Sequence, residues 1–308
     1  MAFSPLNAHT SDIEHRAIAA YLGLAIGDAL GATVEFMTPR EIKAKYGIHR
    51  DIIGGGWLNL KPGQVTDDTT MSLALGEAIL AKRSVDPHTI GTAFDRWMRA
   101  KPVDIGNTVR RGILNYRNNG SIAVEPSEHD AGNGACMRVL PVALATLGQS
   151  SEQVAEATRL QSHLTHNNSL SDAGTYCVVQ LVQMAFMGAT RNELLLGPVR
   201  ALIEQHPEFR FRQRNASNPS GYIVHTLCAV FQAFFDTDSF EECLVDVVNL
   251  GGDADTTAAI AGMIAGAYYG RDAIPVRWIN RLDRNVFIKC GEQASALLAL
   301  SEHIDMNA

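Results

Sequence analysis

Apolar residues recur at spacings of three and four along most of the chain, which is the period of an amphipathic helix. Patterns that alternate apolar and polar residues, as strands require, are scarce, and residues 52–53 and 122–124 are weak exceptions. The pattern therefore predicts an all-α protein. The predicted helices are residues 13–30, 71–81, 90–98, 139–147, 154–160, 171–187, 191–205, 222–235, 240–248, 256–269 and 294–304.

Two prolines, Pro141 and Pro198, fall inside predicted helices. Each is expected to kink or end its helix, because proline lacks a backbone N–H. No linker and no repeat period divides the chain. We expect one compact multi-helix domain over residues 13–308, preceded by a flexible extension of residues 1–12.

The composition narrows the class of protein. The chain has 308 residues, of which 46% are hydrophobic and 19% charged, enough for one large core. A net charge of −7 without a basic stripe argues against a nucleic-acid partner. Neither a signal peptide nor a transmembrane segment is predicted, so the expected compartment is the cytoplasm. No C-x-x-C pair occurs, and the cysteines are expected to be reduced core residues: Cys136, Cys177, Cys228, Cys243 and Cys290.

Two acidic clusters interrupt the apolar sequence. One is residues 66–70, Thr-Asp-Asp-Thr-Thr, and the other is residues 251–257, Gly-Gly-Asp-Ala-Asp-Thr-Thr. Neither contains Lys or Arg, and carboxylates beside core-forming sequence are costly unless a cation compensates them. Because all the side-chain donors are oxygens, the expected cation is a hard divalent ion, magnesium, manganese or calcium, rather than zinc.

The same clusters are also typical of helix N-caps, where a side-chain oxygen accepts a free backbone N–H. Both interpretations can hold together, because a helix start that places several oxygens close in space also orients them as ligands. Two matching clusters favour the metal site over capping alone.

Several single residues allow two interpretations from the sequence alone. An aspartate near glycine is usually a turn residue, Gly-Asn-Gly is usually a turn, and a lone histidine or tyrosine is often structural. Each type could also serve a site built from loops and helix ends. The residues concerned are Glu35, Asp104, Gly132, Asn133, Gly134, His166 and Tyr222.

Seven segments together resemble the ADP-ribosylglycohydrolase family. They occur in order across nearly the whole chain, and they include both acidic clusters and the Thr-His-Asn-Asn sequence that begins at Thr165. The matching segments are residues 23–36, 46–50, 54–69, 102–108, 130–135, 165–173 and 251–257.

The resemblance implies an all-α fold with a binuclear metal centre in a cleft formed by helix ends. It implies two divalent ions, with manganese favoured over magnesium, and hydrolysis of the N-glycosidic bond between ADP-ribose and an arginine side chain. The ligands that it implies are Glu35, Thr66, Asp67, Asp68, Asp253, Asp255 and Thr256.

The resemblance also implies roles toward the substrate. Asp104 would take a ribose hydroxyl proton or steer the attacking water, and Glu35 is the second residue expected to act in catalysis. The remaining residues would bind ADP-ribose: Asn107 at the ribose or the arginine, Gly132, Asn133 and Gly134 at the diphosphate, His166 at adenosine or ribose hydroxyls, and Tyr222 at the adenine face.

The segments around Trp57 and Asp104 imply a narrower substrate, the nitrogenase iron protein (dinitrogenase reductase), whose reactivation would regulate nitrogen fixation. A PII signalling protein is then an expected partner. Alternatives remain open from the sequence. The chain could act on another ADP-ribosylated protein or a small molecule, bind ADP-ribose without catalysis, or cleave the diphosphate as a metal-dependent phosphohydrolase.

Overall fold

The structure, a computed structural model, describes residues 10–213 and 216–301, and helices dominate this part of the chain. The prediction of an all-α domain is confirmed. The α-helices are α1 (Thr10–Gly31), α2 (Pro39–Tyr46), α3 (Asp67–Lys82), α4 (Pro87–Arg99), α5 (Asn107–Asn119), α6 (Leu140–Ala145), α7 (Ser151–Ser162), α8 (Ser169–Phe186), α9 (Arg191–Leu194), α10 (Arg200–Gln205), α11 (Ile223–Asp236), α12 (Phe240–Val248), α13 (Ala254–Tyr269), α14 (Val276–Arg281) and α15 (Arg284–Leu298).

The helix predictions differ from the structure at several places. Helices α2, α5 and α14 were not predicted, and α15 begins ten residues before the predicted start at residue 294. Of the predicted extension, residues 10–12 belong to α1 and residues 1–9 lie outside the described residues, as does the predicted helix end at residue 304. The two weak strand predictions are wrong: within the described residues the only β pairing is two isolated bridges, one between Gly55 and Leu60 and one between Gly132 and Tyr222.

Pro198 interrupts its predicted helix as expected, but the expectation that Pro141 kinks or ends its helix is wrong, because the first turn of a helix tolerates proline. Pro141 occupies the first turn of α6, so that helix begins there rather than continuing from upstream. Pro198 lies in a π-helical turn, Leu195–Val199, which joins α9 to α10. A proline cannot donate to the helical ladder, and the wider π turn accommodates the missing donor.

Helices α1 and α13 form the centre of the fold and cross with their backbones in contact. A Cβ on Gly27 would lie 2.0 Å from Ala258 O, and one on Gly31 would lie 2.3 Å from Ala254 O, so only glycine fits at either position. The order of these contacts shows that the two helices run antiparallel. The end of α1 therefore lies beside the start of α13, where the second acidic cluster stands.

Among the described residues, no helix combines the length and the apolar character needed to cross a bilayer. All five cysteines are buried thiols, as the sequence predicted.

Candidate functional site

One cleft collects most of the residues that the sequence singled out. It lies where the end of α1 and the starts of α3, α5 and α13 meet, so the polar ends of buried helices point into it. Its lining residues are Glu35, Phe36, Asp67, Asp104, Gly106, Asn107, Thr108, Val109, Gly132, Asn133, Gly134, Met137, His166, Gly221, Asp253, Asp255 and Thr256.

The acidic clusters stand at helix starts, but their side chains do not cap those helices. Thr66 is the N-cap of α3 and Asp253 is the N-cap of α13, and neither side chain makes a capping hydrogen bond. The helix starts predicted by the capping interpretation are therefore present. Because the two N-cap side chains are not used for capping, they remain available as metal ligands. The position of the carboxylates also suits them electrostatically, because a helix N-terminus favours nearby negative charge.

Asp28, on α1, caps the start of α3. Its buried carboxylate accepts hydrogen bonds from Thr66 N at 2.9 Å, from Thr69 N at 3.1 Å and from the Thr69 hydroxyl. Sequence reasoning gave this residue no role, although an aspartate inside the apolar run of residues 22–34 was a signal. The contact fixes the first acidic cluster against α1, and hence close to the second cluster.

Three carboxylates have the geometry of a metal site: Glu35 follows α1, Asp253 is the N-cap of α13, and Asp255 lies in the first turn of α13. One oxygen each from Glu35, Asp253 and Asp255 lies within 4.8 Å of the other two. Glu35 is 5% exposed and Asp255 is 2% exposed. Two buried oxygens, Asp68 Oδ1 and Asp255 Oδ1, have no hydrogen-bond partner among the described residues. Buried polar atoms are normally satisfied, so this all-oxygen set fits a hard divalent cation.

Thr66 and Asp68, two further predicted ligands, are buried beneath the residues that line the cleft. Asp68 is fully buried, and its Oδ2 accepts hydrogen bonds from the Thr66 hydroxyl at 3.2 Å and from the Thr256 hydroxyl at 3.3 Å. These contacts join the two acidic clusters directly. The predicted ligands are thus contiguous in space, although residues 66–68 and 253–256 are far apart in sequence.

The electrostatics of the cluster favour a cation strongly. Burial, opposed by a hydrogen bond from Trp57 and aided by the Asp253 charge, raises the pKa of Glu35 to about 8. Burial together with the Asp104 charge raises the pKa of Asp67 to about 7. Without a cation these groups resist ionisation at neutral pH, because burial and like charges both disfavour the carboxylate form.

The deepest carboxylates are affected most. Burial and the neighbouring Asp28 charge raise the pKa of Asp68 well above its ordinary value. Burial and the Glu35 charge do the same to the pKa of Asp255. A bound cation supplies the positive charge that lets such a group ionise, so metal binding at this cluster would release protons.

Glu35 is held by contacts on both sides. The Trp57 indole N–H donates to Glu35 Oε2 at 2.6 Å. On the other side, Phe36 N donates to Gly252 O at 2.7 Å, and Gly252 N donates to Met37 O at 3.0 Å. Gly252 has a φ of 65°, and a Cβ there would lie 2.1 Å from Pro219 O, so the pairing depends on glycine. These contacts place Glu35 next to the second acidic cluster.

Asp104 stands at the mouth of the cleft in the loop before α5, and Asn107 is the first residue of that helix. Asp104 Oδ1 accepts a hydrogen bond from Ile105 N at 2.8 Å, and the carboxylate is partly exposed. Gly106 N donates to Asp67 Oδ2 at 3.3 Å, which ties this loop to the first acidic cluster. Asp104 therefore faces the cleft with access to solvent, unlike the buried carboxylates.

The Gly-Asn-Gly segment and His166 form another wall. Asn133 Nδ2 donates to Asp253 Oδ2 at 2.6 Å and to Thr226 Oγ1 at 2.9 Å, so this amide positions a carboxylate. Gly132 and Gly134 flank Asn133 in the cleft lining.

Tyr222 is placed differently from the other predicted site residues. It is not among the residues that line the cleft; its backbone forms the bridge to Gly132, and its ring contacts that of His225 edge-on at 5.1 Å.

Arg138 is a buried cation that sequence reasoning missed. It is 0% exposed, and it donates to Gln161 O, Gln161 Oε1 and Thr165 Oγ1, each at 2.9 Å. Burial lowers its pKa and the charge of Asp67 opposes that shift, but a guanidinium stays protonated at neutral pH. Its signal in the sequence was a lone cation inside the otherwise apolar residues 135–145.

A wider groove of about 980 Å³ lies elsewhere, between α2 and the turn from α11 to α12. Its acidic residues, such as Asp238 and Glu241, pair with Arg191 and Arg277 at the surface. The smaller cleft carries the buried carboxylates and unsatisfied oxygens, so it is the better candidate for chemistry.

The chain is similar to known proteins over nearly its whole length. A sequence profile of the ADP-ribosylglycohydrolase family matches residues 9–305. The chain is 49% identical over 293 residues to the ADP-ribosyl-[dinitrogen reductase] glycohydrolase of Rhodospirillum rubrum, covering 94% of this chain and 97% of that one.

More distant relatives include the ADP-ribosylarginine hydrolase Tri1 of Serratia proteamaculans, 34% identical over 87% of this chain and 75% of that one. Among solved structures, a chain described as an ADP-ribosylglycohydrolase-related protein complex superposes with a TM-score of 0.82 at 35% identity. That match covers 94% of this chain and 99% of the other.

Proposed function

Because the chain belongs to the ADP-ribosylglycohydrolase family, we propose that it hydrolyses the bond between ADP-ribose and an arginine side chain of dinitrogenase reductase, which reactivates that protein. The similarity to the Rhodospirillum rubrum glycohydrolase extends over nearly the full length of both chains and supports this substrate. The observation that carries the activity is the cleft in which Glu35, Asp253 and Asp255 bring their oxygens within 4.8 Å of one another.

We propose that two divalent cations occupy the cleft, with manganese favoured over magnesium. The side chains that would hold them are the carboxylates and hydroxyls of both acidic clusters, together with Glu35. This many anionic oxygens would repel one another around a single ion, which supports the number two. When bound, the cations would orient the terminal ribose and stabilise negative charge that develops on oxygen. The ligands are Glu35, Thr66, Asp67, Asp68, Asp253, Asp255 and Thr256.

Asp104 is proposed as the proton acceptor. Its carboxylate is partly exposed at the cleft mouth, where a ribose hydroxyl or an attacking water can reach it. Such proton transfer typically contributes roughly 10²–10⁴ in rate. Glu35 would act beside it, and its contact with Trp57 holds it toward the second acidic cluster. Asn107, the first residue of α5, would hydrogen-bond the ribose or the arginine.

The other wall would bind the nucleotide. The backbone of Gly132 and Gly134 would bind the diphosphate, and Asn133 orients Asp253. The space that the missing Cβ atoms of the two glycines leave is occupied by the His166 ring. His166 would contact the substrate from the same wall, and Tyr222 remains a prediction for adenine stacking. Binding of a PII signalling protein also remains a prediction that no surface of the described residues singles out.

Product identity separates this function from its alternatives. The protein would be incubated with manganese and arginine-modified dinitrogenase reductase, and the released nucleotide and the protein mass would be measured. Free ADP-ribose with an unmodified arginine supports the proposal. AMP with a residual modification would indicate a phosphohydrolase instead, and tight binding without any product would indicate a binding module.

A second experiment tests which substrate the protein prefers. The same assay on other proteins modified at arginine, and on free ADP-ribosyl-arginine, compares values of kcat/KM. A clear preference for dinitrogenase reductase supports the narrower function, whereas equal rates would assign the chain to a general ADP-ribosyl-arginine hydrolase.

A further inference from the structure

The His166 ring fills the space beside the Gly-Asn-Gly segment. A Cβ on Gly132 would lie 3.0 Å from His166 Nε2, and a Cβ on Gly134 would lie 2.8 Å from His166 Cε1. Any larger residue at either position would collide with the ring. The Nε2 edge of His166 therefore faces the wall of the cleft where the substrate diphosphate and ribose are proposed to bind.

The opposite ring nitrogen contacts a hydroxyl whose orientation is already determined. His166 Nδ1 lies 2.8 Å from Thr165 Oγ1, and that oxygen accepts a hydrogen bond from Arg138 Nη2 at 2.9 Å. A guanidinium can only donate, so the hydroxyl must accept from it. These two are the polar contacts of Thr165 Oγ1 within the described residues. If Nδ1 donated as well, the buried hydroxyl proton would have no acceptor, so satisfying every group directs that proton to Nδ1. With Nδ1 accepting, the neutral ring carries its proton on Nε2.

Arg138 has the fixed geometry that this role requires. Two of its nitrogens donate to the backbone and side-chain oxygens of Gln161 at 2.9 Å, and its guanidinium lies 4.8 Å from the centre of the Phe94 ring. No carboxylate of residues 10–213 or 216–301 forms an ion pair with it. Neutral acceptors therefore orient the Arg138 guanidinium, and its positive charge lies close to His166.

Burial, aided by the same charge, keeps the ring neutral. Burial, together with the charges of Arg138 and Arg111, lowers the pKa of His166 to about 3. At neutral pH the ring is then a hydrogen-bond donor at Nε2, and it holds no second proton that it could transfer to a leaving group.

We propose that Arg138 is a positioning residue that acts through Thr165 to fix His166 as the Nε2–H tautomer, which presents a donor to an acceptor oxygen of ADP-ribose. The identity of the ligand rests on the proposed function, but the tautomer follows from the contacts alone. We call the chain of contacts from Arg138 through Thr165 to His166 the relay. Through it, the fully buried Arg138 would affect substrate binding without contacting the substrate.

Nitrogen-15 NMR of histidine-labelled, magnesium-loaded protein tests the relay directly. The His166 resonances are assigned by their loss in His166→Gln. The expected wild-type spectrum shows a protonated, pyrrole-type Nε2 and an unprotonated, pyridine-type Nδ1. Thr165→Val removes the hydroxyl and should give a mixture of tautomers, while Thr165→Ser retains the hydroxyl and should restore the wild-type spectrum. Arg138→Met should also give a mixture, and Thr165→Val keeps the test valid if that variant does not fold.

A matched control separates the relay from the loss of any buried hydroxyl. Thr158 is also buried on α7, and its hydroxyl donates to Val154 O at 2.8 Å without contacting His166. Calorimetry with ADP-ribose should show affinity reduced roughly 10-fold in Thr165→Val, the usual effect of losing a hydrogen bond to a charged ligand. Thr158→Val should retain wild-type affinity.

Two results would overturn the inference. One is a wild-type spectrum with the proton on Nδ1, and the other is a Thr165→Val variant whose tautomer and affinity match those of Thr158→Val. The spectrum requires no turnover, so it is independent of the proposed function. If the wild-type protein released no ADP-ribose from arginine yet showed the expected tautomer, the proposed function would fail and the role of Arg138 would stand.

Discussion

Trp57 donates its indole N–H to Glu35 Oε2 over 2.6 Å, which links an exposed aromatic residue to the buried acidic cluster. The Trp57 side chain is 52% exposed and its ring lies 5.4 Å from that of Phe36, which is also exposed and has a φ of 63°. A non-glycine residue with positive φ is strained, and such strain is often found at functional sites. The two rings thus form the outer support of a carboxylate proposed to bind metal.

Replacement of Trp57 by Phe should weaken metal binding. The substitution keeps an aromatic ring but removes the donor to Glu35 Oε2. A hydrogen bond to a charged group is worth ~1.5–3 kcal/mol, and the lower end applies to this partly buried bond, so affinity for Mn²⁺ should fall on the order of 10-fold. Calorimetric titration with Mn²⁺ measures this. Phe36→Leu is the control, because it removes a ring from the same support without removing a hydrogen bond, and an equal loss in both variants would contradict the explanation.

Substitutions at the acidic clusters should separate metal binding from folding. Asp67→Asn and Asp253→Asn each remove one charge from a group of mutually repelling carboxylates. We expect the metal-free variants to melt at a higher temperature than metal-free wild type, while bound metal and hydrolysis are nearly abolished. Metal content by elemental analysis, with melting curves, checks both expectations. Asp12→Asn, a change at an exposed carboxylate, should leave all three quantities unchanged.

The metal-free protein should lose stability as pH rises. The folded-state pKa is raised to about 8 for Glu35, about 7 for Asp67 and about 6 for Asp28, chiefly by burial. The same groups in the unfolded chain have pKa values of about 4, so the folded state binds more protons between about pH 4 and pH 8. Stability contributed by these protons is present at low pH and is lost as pH rises through the folded pKa values.

Melting curves in chelator at several pH values between 5 and 8.5 measure that dependence. Saturating Mn²⁺ should flatten it, because the cation stabilises the ionised carboxylates and binds only the folded state. A metal-free protein whose melting temperature rose steadily across this range would contradict the assignment of raised pKa values to the cluster.

Contiguous patterns are what made the acidic part of the candidate site visible in the sequence. The acidic clusters are visible because each packs its oxygens into a few neighbouring residues, and both helix starts were anticipated. The residues that hold the acidic clusters in place could not be predicted in this way. The contacts of Asp28, Trp57 and Arg138 cross 22 to 41 positions of sequence, and nothing in the local pattern specifies such partners.

Helices α2 and α5 were not predicted for the same reason, because contacts distant in sequence stabilise them. Helix α2 buries only Ile42, and α5 buries Val109, Gly112 and Ile113, so each presents too short an apolar face to give a clear period. Tertiary contacts determine such elements more than their own pattern does. The apolar pair at residues 52–53 illustrates the reverse error, because one isoleucine is buried in a loop and the other is exposed.

Asp104→Asn should separate chemistry from binding. Asp104 is partly exposed at the cleft mouth, whereas the proposed metal ligand Asp67 behind it is buried. The asparagine keeps the size of the side chain but removes its charge and its capacity to accept a proton. We therefore expect bound metal and ADP-ribose affinity to remain close to wild type, while the rate of arginine-linked ADP-ribose release falls on the order of 10²-fold or more.

The measurement for Asp104→Asn pairs calorimetry with single-turnover release, so that binding and chemistry are read from the same preparation. Asp104→Glu is the matched control: it retains a carboxylate and should recover part of the rate, since proton acceptance survives a shifted position better than it survives loss of the charge. Near-normal turnover in the asparagine variant would remove Asp104 from the mechanism. Loss of metal together with loss of affinity would instead place this carboxylate among the ligands, because its loop already contacts Asp67 Oδ2 through Gly106 N at 3.3 Å.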